Sequence, residues 1–412
     1  MEEQQVLDRE QVEAGAVFGT IRGQRVARHF GDPQAEYGAA TEGCGVSVPE
    51  RRVLVTVTGR SPAEMIQGVI TNSVPPPLQP GDPETLTGVS SYAAILTPKG
   101  RMITDLWVGW WGSTPESGLL VEFPGSGAAG ALEHLARFLP PRLAKATDRT
   151  GELGAIQVMG PEGADLLARV GLGFRVEADF LRQMGDGQVV AVGSHPGAGL
   201  RVRRSADLAT PVWDVVADLP TIRGLWKSLL AAGAFPVGAG VAEALRVEAG
   251  RPAFGQDMGS DTIPIEAGIA DRAIDDAKGC YTGQEVIVRI RDRGHVNRHL
   301  RGLRFGTDVA AAPGTPLFSD PAGDEGDDSE GGASEGSPRG GPVPRQVGVV
   351  TSEALSPRVG TSIGLGYVRR EVSVPGSVRL GEPEGPAVEV RALSGPGWAL
   401  DGAEGIPDSA GG

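Results

Sequence analysis

The sequence of 412 residues predicts an α+β fold, in which two related α+β pieces precede a small β-barrel. A β-branched run ends at a glycine and leads into a helix-start signal near residue 60, and the same pattern returns near residue 160. The C-terminal part instead holds short β-branched runs separated by turn residues, which is typical of a small barrel. Together these observations define the fold class.

In the first piece, Arg52–Thr58 is β-branched and predicts a strand that ends at Gly59. Ser61-Pro62-Ala63-Glu64 then supplies an N-cap, a proline at the first helical position and a capping-box acid. The segment Ala155–Leu167 has the same residue types at equal offsets from its own glycine. We therefore expect a strand–turn–helix unit at both places.

A hairpin follows the first unit. Tyr92–Leu96 and Met102–Trp110 predict two strands, joined by a turn at Pro98-Lys99-Gly100. The hairpin places Lys99 at the end of one strand and Asp105 inside the next.

The second piece and the barrel contain the remaining predicted elements. Two helices, each with a glycine suited to a C-cap after it, are predicted at Leu219–Ala232 and Ala239–Ala249. Strands are predicted at Val286–Ile290, Leu300–Phe305, Gln346–Ser352, Ile363–Arg369, Ser377–Leu380 and Ala387–Val390. Between these barrel strands, residues 320–341 are acidic and rich in Gly, Ser and Pro, which predicts a disordered insertion.

The composition excludes several classes of protein. A hydrophobic fraction of 40% with 22% charged residues is that of a globular chain with real cores. There is no apolar run of the roughly 18 residues that a membrane span needs, and the N-terminus is polar and acidic, so we expect a soluble cytoplasmic protein, favoured as a monomer. The two cysteines, Cys44 and Cys280, are too few for a disulfide framework.

The net charge of -14 hides an uneven distribution. From Asp320 to Ser337 there are seven acids and no base, whereas Lys278–Arg304 holds seven bases and two acids. Lysine is rare, yet Lys99 and Lys278 each precede a glycine. Either a compact ammonium is required at these places, or the two lysines lie beside glycines by chance. The total charge is therefore a poor guide to partners.

The densest group of chemically useful residues is Lys278–Glu285, with the sequence KGCYTGQE. A lone cysteine with a basic neighbourhood favours the thiolate that nucleophilic, redox or metal-ligand chemistry requires. Free cysteines also pack inertly in cores, and the residues alone leave both readings open.

This segment resembles the signature of the YgfZ-type folate-binding proteins, relatives of the glycine cleavage T-protein (aminomethyltransferase) that assist iron–sulfur enzymes. Other segments are similar to the family in the family's order: Leu245–Pro252, Gly255–Met258, Ile263–Gly268, Arg293–Arg298, Gly59–Asn72, Leu96–Asp105 and Gly364–Arg369. The resemblance spans most of 37–390.

The resemblance implies three pieces around a central folate cavity. We expect an N-terminal extension at 1–36, a first α+β folate-binding domain at 37–150 and a second at 151–298, which ends in the Cys280 motif. The barrel then occupies 299–395 with its insertion, and 396–412 forms a flexible tail.

The resemblance also implies roles for residues in binding tetrahydrofolate or a one-carbon-substituted folate. Glu248 is expected to accept the paired donors of the pterin, since a carboxylate suits that geometry. The glutamyl tail needs a base, and Arg246, Arg251, Arg289 and Arg369 are the options. The candidate set is completed by the neighbours of Cys280 and by the turn lysine: Tyr281, Gln284, Glu285 and Lys99.

Three functions follow as hypotheses. The first is a folate-binding factor for iron–sulfur cluster assembly or repair in client enzymes, with Cys280 and Lys278 at the reactive centre. The second is a folate-dependent one-carbon transferase or demethylase that uses Asp105, the single acid kept in Thr104-Asp105. The third is a module in which the basic segment docks a client protein or tRNA.

We expect no resident metal or cluster. Stable iron–sulfur clusters generally need about four thiolates or histidines. His295 and His299 have a metal-ligand spacing only if their segment is helical, and the predicted strand and turn there argue against zinc.

Overall fold

The computed structural model describes residues 2–50, 52–81, 85–171, 176–193, 199–320 and 344–400, with the backbone alone for 2–6. In these ranges the chain forms a short N-terminal hairpin, two large sheets flanked by helices, and a closed barrel. Within the same ranges, no helix is both long enough and apolar enough to cross a membrane.

Ten α-helices are found in the described ranges: α1 Glu2–Glu13, α2 Pro33–Glu42, α3 Pro62–Gln67, α4 Ala128–Phe138, α5 Gly163–Val170, α6 Ala178–Gln183, α7 Leu219–Ala231, α8 Ala239–Glu248, α9 Ala270–Ala273 and α10 Gln284–Arg293.

The strands of the N-terminal hairpin and the two sheets are β1 Val17–Ile21, β2 Gln24–His29, β3 Gly45–Ser47, β4 Arg52–Thr58, β5 Gln79–Pro80, β6 Leu86–Val89, β7 Ser91–Leu96, β8 Met102–Trp110, β9 Leu119–Pro124, β10 Lys145–Asp148, β11 Leu153–Met159, β12 Gln188–Val192, β13 Leu200–Ser205, β14 Val212–Asp218 and β15 Phe235–Pro236. The barrel strands are β16 Arg298–Arg304, β17 Pro316–Ser319, β18 Gln346–Ser356, β19 Thr361–Arg369, β20 Gly376–Leu380 and β21 Ala387–Arg391.

The larger sheet is built from strands of both halves of the chain. The five-stranded sheet has the order β10-β4-β9-β8-β7, all from the first half. The eight-stranded sheet has the order β15-β3-β11-β14-β13-β12-β6-β5. In it, β3 pairs with β11 and β6 with β12, so strands from before residue 90 complete a sheet built mainly after residue 150. The larger sheet therefore contains strands from both sides of the expected domain boundary at residue 150.

The predicted repeat is confirmed by the two glycines that end β4 and β11. Gly59 has φ +141° and Gly160 has φ +102°, backbone conformations that residues other than glycine rarely adopt. A Cβ at either position would lie 2.4 Å from a backbone carbonyl oxygen, that of Leu143 or of Gly43. At both places the chain therefore passes close to a neighbouring backbone segment as it leaves the strand, β4 or β11, and enters the helix, α3 or α5.

Helix starts agree with the sequence in position but not always in capping. Ser61 is the N-cap residue of α3 and Pro62 occupies the first turn, yet the Ser61 side chain makes no capping hydrogen bond, which corrects the capping-box expectation. At α7, Asp218 does cap, accepting from Thr221 N at 2.7 Å. Apolar helix faces then pack on the sheets, with Trp213 and Trp226 in the core of the larger one.

The barrel closes in the order β16-β19-β18-β17-β20-β21. It encloses a core of buried residues that includes Leu303, Val350 and Val388. Trp398, which is 1% exposed, donates its indole N–H to Val247 O at 2.9 Å and so ties the chain after the barrel to helix α8. This stretch was expected to belong to a flexible tail, but burial of a large indole orders it.

Two further expectations need correction. Val286–Ile290 is part of helix α10 and not a strand, because β-branched residues are only weakly unfavourable in helices and the left-handed Gly283 before them starts a turn. Asp320 is buried and ion-paired to Arg379 at 3.1 Å, so the acidic insertion does not begin there. The rest of the predicted disordered segment, 321–341, lies outside the described residues.

Candidate functional site

A cavity of about 190 Å³ is lined by residues from both large sheets, helix α8 and the tip of the β1–β2 hairpin. Trp107, Phe123 and Phe254 contribute aromatic surface. Five acids face five bases around it: Glu50, Asp105, Glu122, Asp207 and Glu243, and Arg22, Arg52, Arg246, Arg251 and Arg272. A second cavity of about 420 Å³, formed largely by the N-terminal elements, shares Glu50 and Arg52 with it.

Asp105 in β8 faces this cavity, close to Tyr92 of the neighbouring strand β7. The Tyr92 hydroxyl donates to Asp105 Oδ2 at 2.8 Å, while Oδ1 is buried and accepts from no group in the described chain. Burial raises the pKa of Asp105, the hydrogen bond from Tyr92 partly opposes this, and the charge of Asp207 adds to the rise. Asp105 is therefore able to hold a proton and has a free acceptor atom.

Asp207 has the opposite electrostatic situation. Its burial opposes ionisation, but Arg272, followed by Arg52, outweighs this and holds the pKa of Asp207 well below its ordinary value. Arg272 donates to Asp207 at 2.6 Å and to Asp186 at 2.8 Å. The two cavity acids thus have pKa values pushed apart, which is a frequent property of catalytic sites.

Arg272 also covers the aromatic wall beside Asp105. Its guanidinium carbon lies 4.6 Å from the centre of the Tyr92 ring and 4.9 Å from that of Trp107. The Tyr92 and Trp107 rings pack edge to face, with their centres 5.5 Å apart. These contacts hold the Tyr92 ring in the position from which its hydroxyl reaches Asp105.

The inner wall is a buried ion network between the sheets. Arg203 of β13 contacts Glu122 at 2.5 Å and Asp214 at 2.8 Å, and both its side chain and theirs are almost fully buried. Its guanidinium carbon lies 4.4 Å from the Trp107 ring centre. Because a buried charge is costly without its partner, this network fixes the position of the wall.

On the α8 side, Arg246 lines the cavity with its donors already occupied. It contacts Glu243, and it donates to Asp257 at 2.8 Å and to Ser352 Oγ at 2.8 Å. Asp257 in turn accepts from Thr351 Oγ1 at 2.5 Å. Arg246 thus joins the cavity wall to barrel strand β18.

Arg251 differs from the other cavity bases. Its Nε donates to Ala206 O at 3.1 Å, and it forms no ion pair with any described residue. Burial is the main cause that lowers the pKa of Arg251, and the neighbouring charge of Arg272 lowers it further. Arg251 therefore retains donors for an anion that enters the cavity.

Glu248 does not line the cavity. It is 3% exposed and accepts from Tyr37 OH at 2.9 Å and from Ser356 Oγ at 2.6 Å. Five residues along a helix turn the side chain by about 140°, so Glu243 faces the cavity and Glu248 faces away. Glu248 is thus a buried, hydrogen-bonded carboxylate outside the cavity lining.

The Lys278–Glu285 motif lies apart from the cavity lining. Lys278 Nζ donates to Gln67 O at 2.7 Å, Ile70 O at 2.6 Å and Asn72 O at 3.0 Å, and burial lowers its pKa to about 8. Three convergent carbonyls suit an ammonium rather than a planar guanidinium. Lys278 therefore anchors the loop that presents Cys280, whose side chain is exposed.

The other predicted site residues also lie outside the cavity lining. Tyr281 is buried in a hydrophobic cluster with Tyr92 and Trp107, behind the cavity wall, and burial raises its pKa to about 12. The remaining candidates lie away from the cavity, partly or fully exposed on α10 or near strand ends: Gln284, Glu285, Arg289, Lys99 and Arg369. The structure brings Asp105, Arg246 and Arg251 together and leaves the Cys280 group elsewhere.

Sequence reasoning missed Tyr92, Arg272, Asp207, Glu50 and Arg22, although each lines the cavity. They stand singly in five different segments, without a local motif. Glu243 had a usable signal, since it lies one turn before Arg246 on a predicted helix and therefore shares its face. Within the described ranges, no group of three or more His, Cys, Asp or Glu side chains is arranged to hold a metal ion.

Two family models of known proteins match this chain. Residues 7–276 match the family model of the GCVT N-terminal domain, and residues 298–396 match that of the glycine cleavage T-protein C-terminal barrel domain. The intervening residues 277–297, which hold Cys280 and most of the basic segment, lie between the two matched ranges.

Individual relatives agree with the family models. An aminomethyltransferase of Rippkaea orientalis is 28% identical over 313 residues, covering 73% of this chain and 74% of that protein. One from Synechocystis is 25% identical and covers 91% and 90%. The solved glycine cleavage system aminomethyltransferase T of Bartonella henselae superposes with a TM-score of 0.74, at 19% identity, over 94% of this chain and 96% of that one, which shows a shared fold.

Proposed function

Since the chain belongs to the glycine cleavage T-protein family, we propose that it binds a reduced folate in the cavity and uses Asp105 in the transfer of a one-carbon unit. The observation that carries the proposal is the buried Oδ1 of Asp105, an acceptor without a partner in the described chain. An unmet buried acceptor costs stability unless a ligand or water completes it.

The cavity residues suit the chemistry of a folate. About 190 Å³ is less than the ~300–1,000 Å³ of pockets that enclose whole ligands, so the ring system enters and the tail extends outward. Trp107 and Phe254 supply apolar surface for a flat ring. Paired acids supply acceptors for its N–H groups.

The bound folate supplies the nitrogen that bonds to the one-carbon unit, while the bond from that carbon to its donor atom, the carrier sulfur or the amine nitrogen, breaks and the donor leaves with the electron pair. Asp105 Oδ1 accepts the proton that this nitrogen gives up, and Tyr92 holds the carboxylate in place through Oδ2. Burial suits Asp105 to this role, because its raised pKa brings its basicity closer to that required near neutral pH. Asp207 stays ionised and does not compete for the proton.

Arg251 is the base that best suits the anionic tail of the folate. Of the four arginines considered from the sequence, Arg246 is occupied by Glu243 and Asp257, and Arg289 and Arg369 are exposed outside the cavity. Arg251 lines the cavity and has free donors for a carboxylate.

Two measurements test this function. Calorimetry with tetrahydrofolate is expected to show binding, and transfer of a one-carbon unit from an aminomethylated lipoyl carrier or a methylated amine is expected to depend on Asp105. Binding without turnover across such donors would reject the transferase and leave a folate-binding protein. Absence of both would reject the proposal.

A second function is favoured by one observation, the exposed thiol of Cys280. Its loop is fixed by Lys278, and its segment lies between the two ranges that match the family. These features support a role for the folate-bound protein in iron–sulfur cluster assembly or repair, with client enzymes meeting Cys280 beside the exposed arginines of α10. If Cys280→Ala rescues iron–sulfur enzyme activity as well as the parent in cells lacking such a factor, this function is wrong.

A further inference from the structure

The tip of the N-terminal hairpin reaches the cavity through an arginine in an unusual backbone conformation. Two residues, Arg22 and Gly23, connect β1 to β2, with φ values of +47° and +76°. Such two-residue turns prefer Asn or Gly at the first position, because a larger side chain is disfavoured there. A residue kept in a disfavoured conformation points to a role for its side chain.

The Arg22 side chain is held by three partners. Its Nε donates to Glu50 Oε2 at 2.5 Å, and its Nη1 donates to Glu243 Oε1 at 3.1 Å and to Gln256 Oε1 at 3.0 Å. Only 11% of the side chain is exposed. Arg22 thus joins the hairpin to two carboxylates of the cavity wall.

Glu50 is left with one free oxygen. Oε2 is taken by Arg22, whereas Oε1 is buried and accepts from no group in the described part of the chain. Asp105 Oδ1 has the same property, and both residues line the cavity. Two residues of the cavity wall therefore each hold a buried carboxylate oxygen without a partner in the described chain, and the proton transfer proposed above uses one of them.

We propose that Glu50 binds the ligand by accepting an N–H hydrogen bond from its ring through Oε1, and that Arg22 is the positioning residue that orients Glu50. The ligand class is a flat heteroaromatic ring with an amino or ring N–H donor at its edge. The assignment rests on the proposed folate function and identifies the group that recognises the ring. Arg22 acts through Oε2, which leaves Oε1 directed to the ligand.

Calorimetry with tetrahydrofolate tests the role of Glu50. The variant Glu50→Gln keeps the size of the side chain but removes the charge, and it is expected to bind at least about tenfold more weakly, as for a lost hydrogen bond to a charged group. Glu152→Gln is the matched control, because Glu152 is an exposed acid paired with Arg149 outside the cavity. Circular dichroism and melting curves establish that the variants fold.

An analogue of tetrahydrofolate whose ring amino group is replaced by methyl tests the same contact from the side of the ligand. The parent is expected to lose affinity for the analogue, and Glu50→Gln is expected to lose much less, because the partner is already absent. Equal losses in parent and variant would show that Glu50 does not meet this group.

A double-mutant cycle tests Arg22. Arg22→Ala is expected to weaken binding, Arg22→Lys to restore part of it, and Arg22→Ala with Glu50→Gln to bind no more weakly than Glu50→Gln alone. Arg25→Ala is the control on the same hairpin, since Arg25 is largely exposed and pairs with Asp8. Additive losses would overturn the positioning role.

The two proposals fail in different ways. If the parent binds tetrahydrofolate and Glu50→Gln binds it equally well, the assignment of Glu50 is wrong while the proposed function stands. If the parent does not bind tetrahydrofolate, both are wrong.

Discussion

The hydroxyl of Tyr92 lies 2.8 Å from Oδ2 of Asp105 and leaves Oδ1 of that carboxylate buried without a partner in the described chain. The pair lies on adjacent antiparallel strands, so the sheet itself fixes the distance. Three of the predictions below follow from this relationship.

The first prediction concerns catalysis by Asp105. Asp105→Asn keeps the shape of the side chain and can still accept from Tyr92, but it cannot take up a proton. We expect the transfer rate to fall by about 10²–10⁴-fold, with tetrahydrofolate affinity changed much less. Single-turnover kinetics and calorimetry measure the two effects. An unchanged rate would remove Asp105 from the reaction.

The same substitution is expected to stabilise the protein at neutral pH. Because the pKa of Asp105 is raised by folding, the folded state binds the proton more tightly, and stability falls as pH rises through the window between the unfolded and folded values. An asparagine has no such penalty. The melting temperature of Asp105→Asn should exceed that of the parent at pH 7, and the gain should vanish at a pH well below the ordinary pKa of about 3.9. A lower melting temperature at pH 7 would contradict this account.

Tyr92→Phe is expected to shift the pH dependence. The Tyr92 hydrogen bond lowers the pKa of Asp105, so its removal raises that pKa further. If the carboxylate is the active form, the acid limb of the rate profile moves to higher pH. The profile of kcat/KM against pH measures the shift. A limb that moves to lower pH would contradict the assignment.

Lys278→Ala is expected to destabilise the fold by about 2–4 kcal/mol, because three carbonyl acceptors lose their donor. Lys99→Ala is the control, since Lys99 is exposed and its removal should change stability by less than about 0.5 kcal/mol. Denaturant titration compares the two. Tetrahydrofolate affinity should survive, provided that the variant is folded, because Lys278 does not line the cavity.

The two thiols are expected to react at very different rates. Cys280 is exposed, whereas Cys44 is buried and its pKa is raised to about 12, mainly by burial. Iodoacetamide should therefore modify one site in the native protein and a second only after denaturation, as mass spectrometry can show. In Cys280→Ala the fast modification should disappear. Rapid labelling of Cys44 would mean that its surroundings open in solution.

Local patterns in the sequence predicted the fold well where structure depends on neighbouring residues. The strand–glycine–helix units around Gly59 and Gly160 could be recognised because a turn needs particular residues at particular positions. Helix α10 was missed since its β-branched residues favour a strand by composition, and only the surrounding contacts decide.

The candidate site was harder to predict because it is assembled from distant segments. Asp105, Arg246 and Arg251 lay in stretches with family resemblance, but Arg22, Glu50 and Arg272 have no signal in their neighbouring residues. Glu248 illustrates another limit, since it lies five residues from Glu243 on one helix, and the sequence alone does not show which of the two acids faces the cavity. Identifying these positions requires the folded contacts.

The position of β3 and β6 in the larger sheet constrains how the protein is synthesised and folds. A ribosome delivers β3 and β6 long before their partners β11 and β12 exist, so the early strands keep unpaired edges during synthesis. Unpaired edges invite association between chains, and distant pairings form slowly. A fragment that stops near residue 150 should therefore aggregate or recruit chaperones, and the protein is expected to mature as a single late event once its second half emerges.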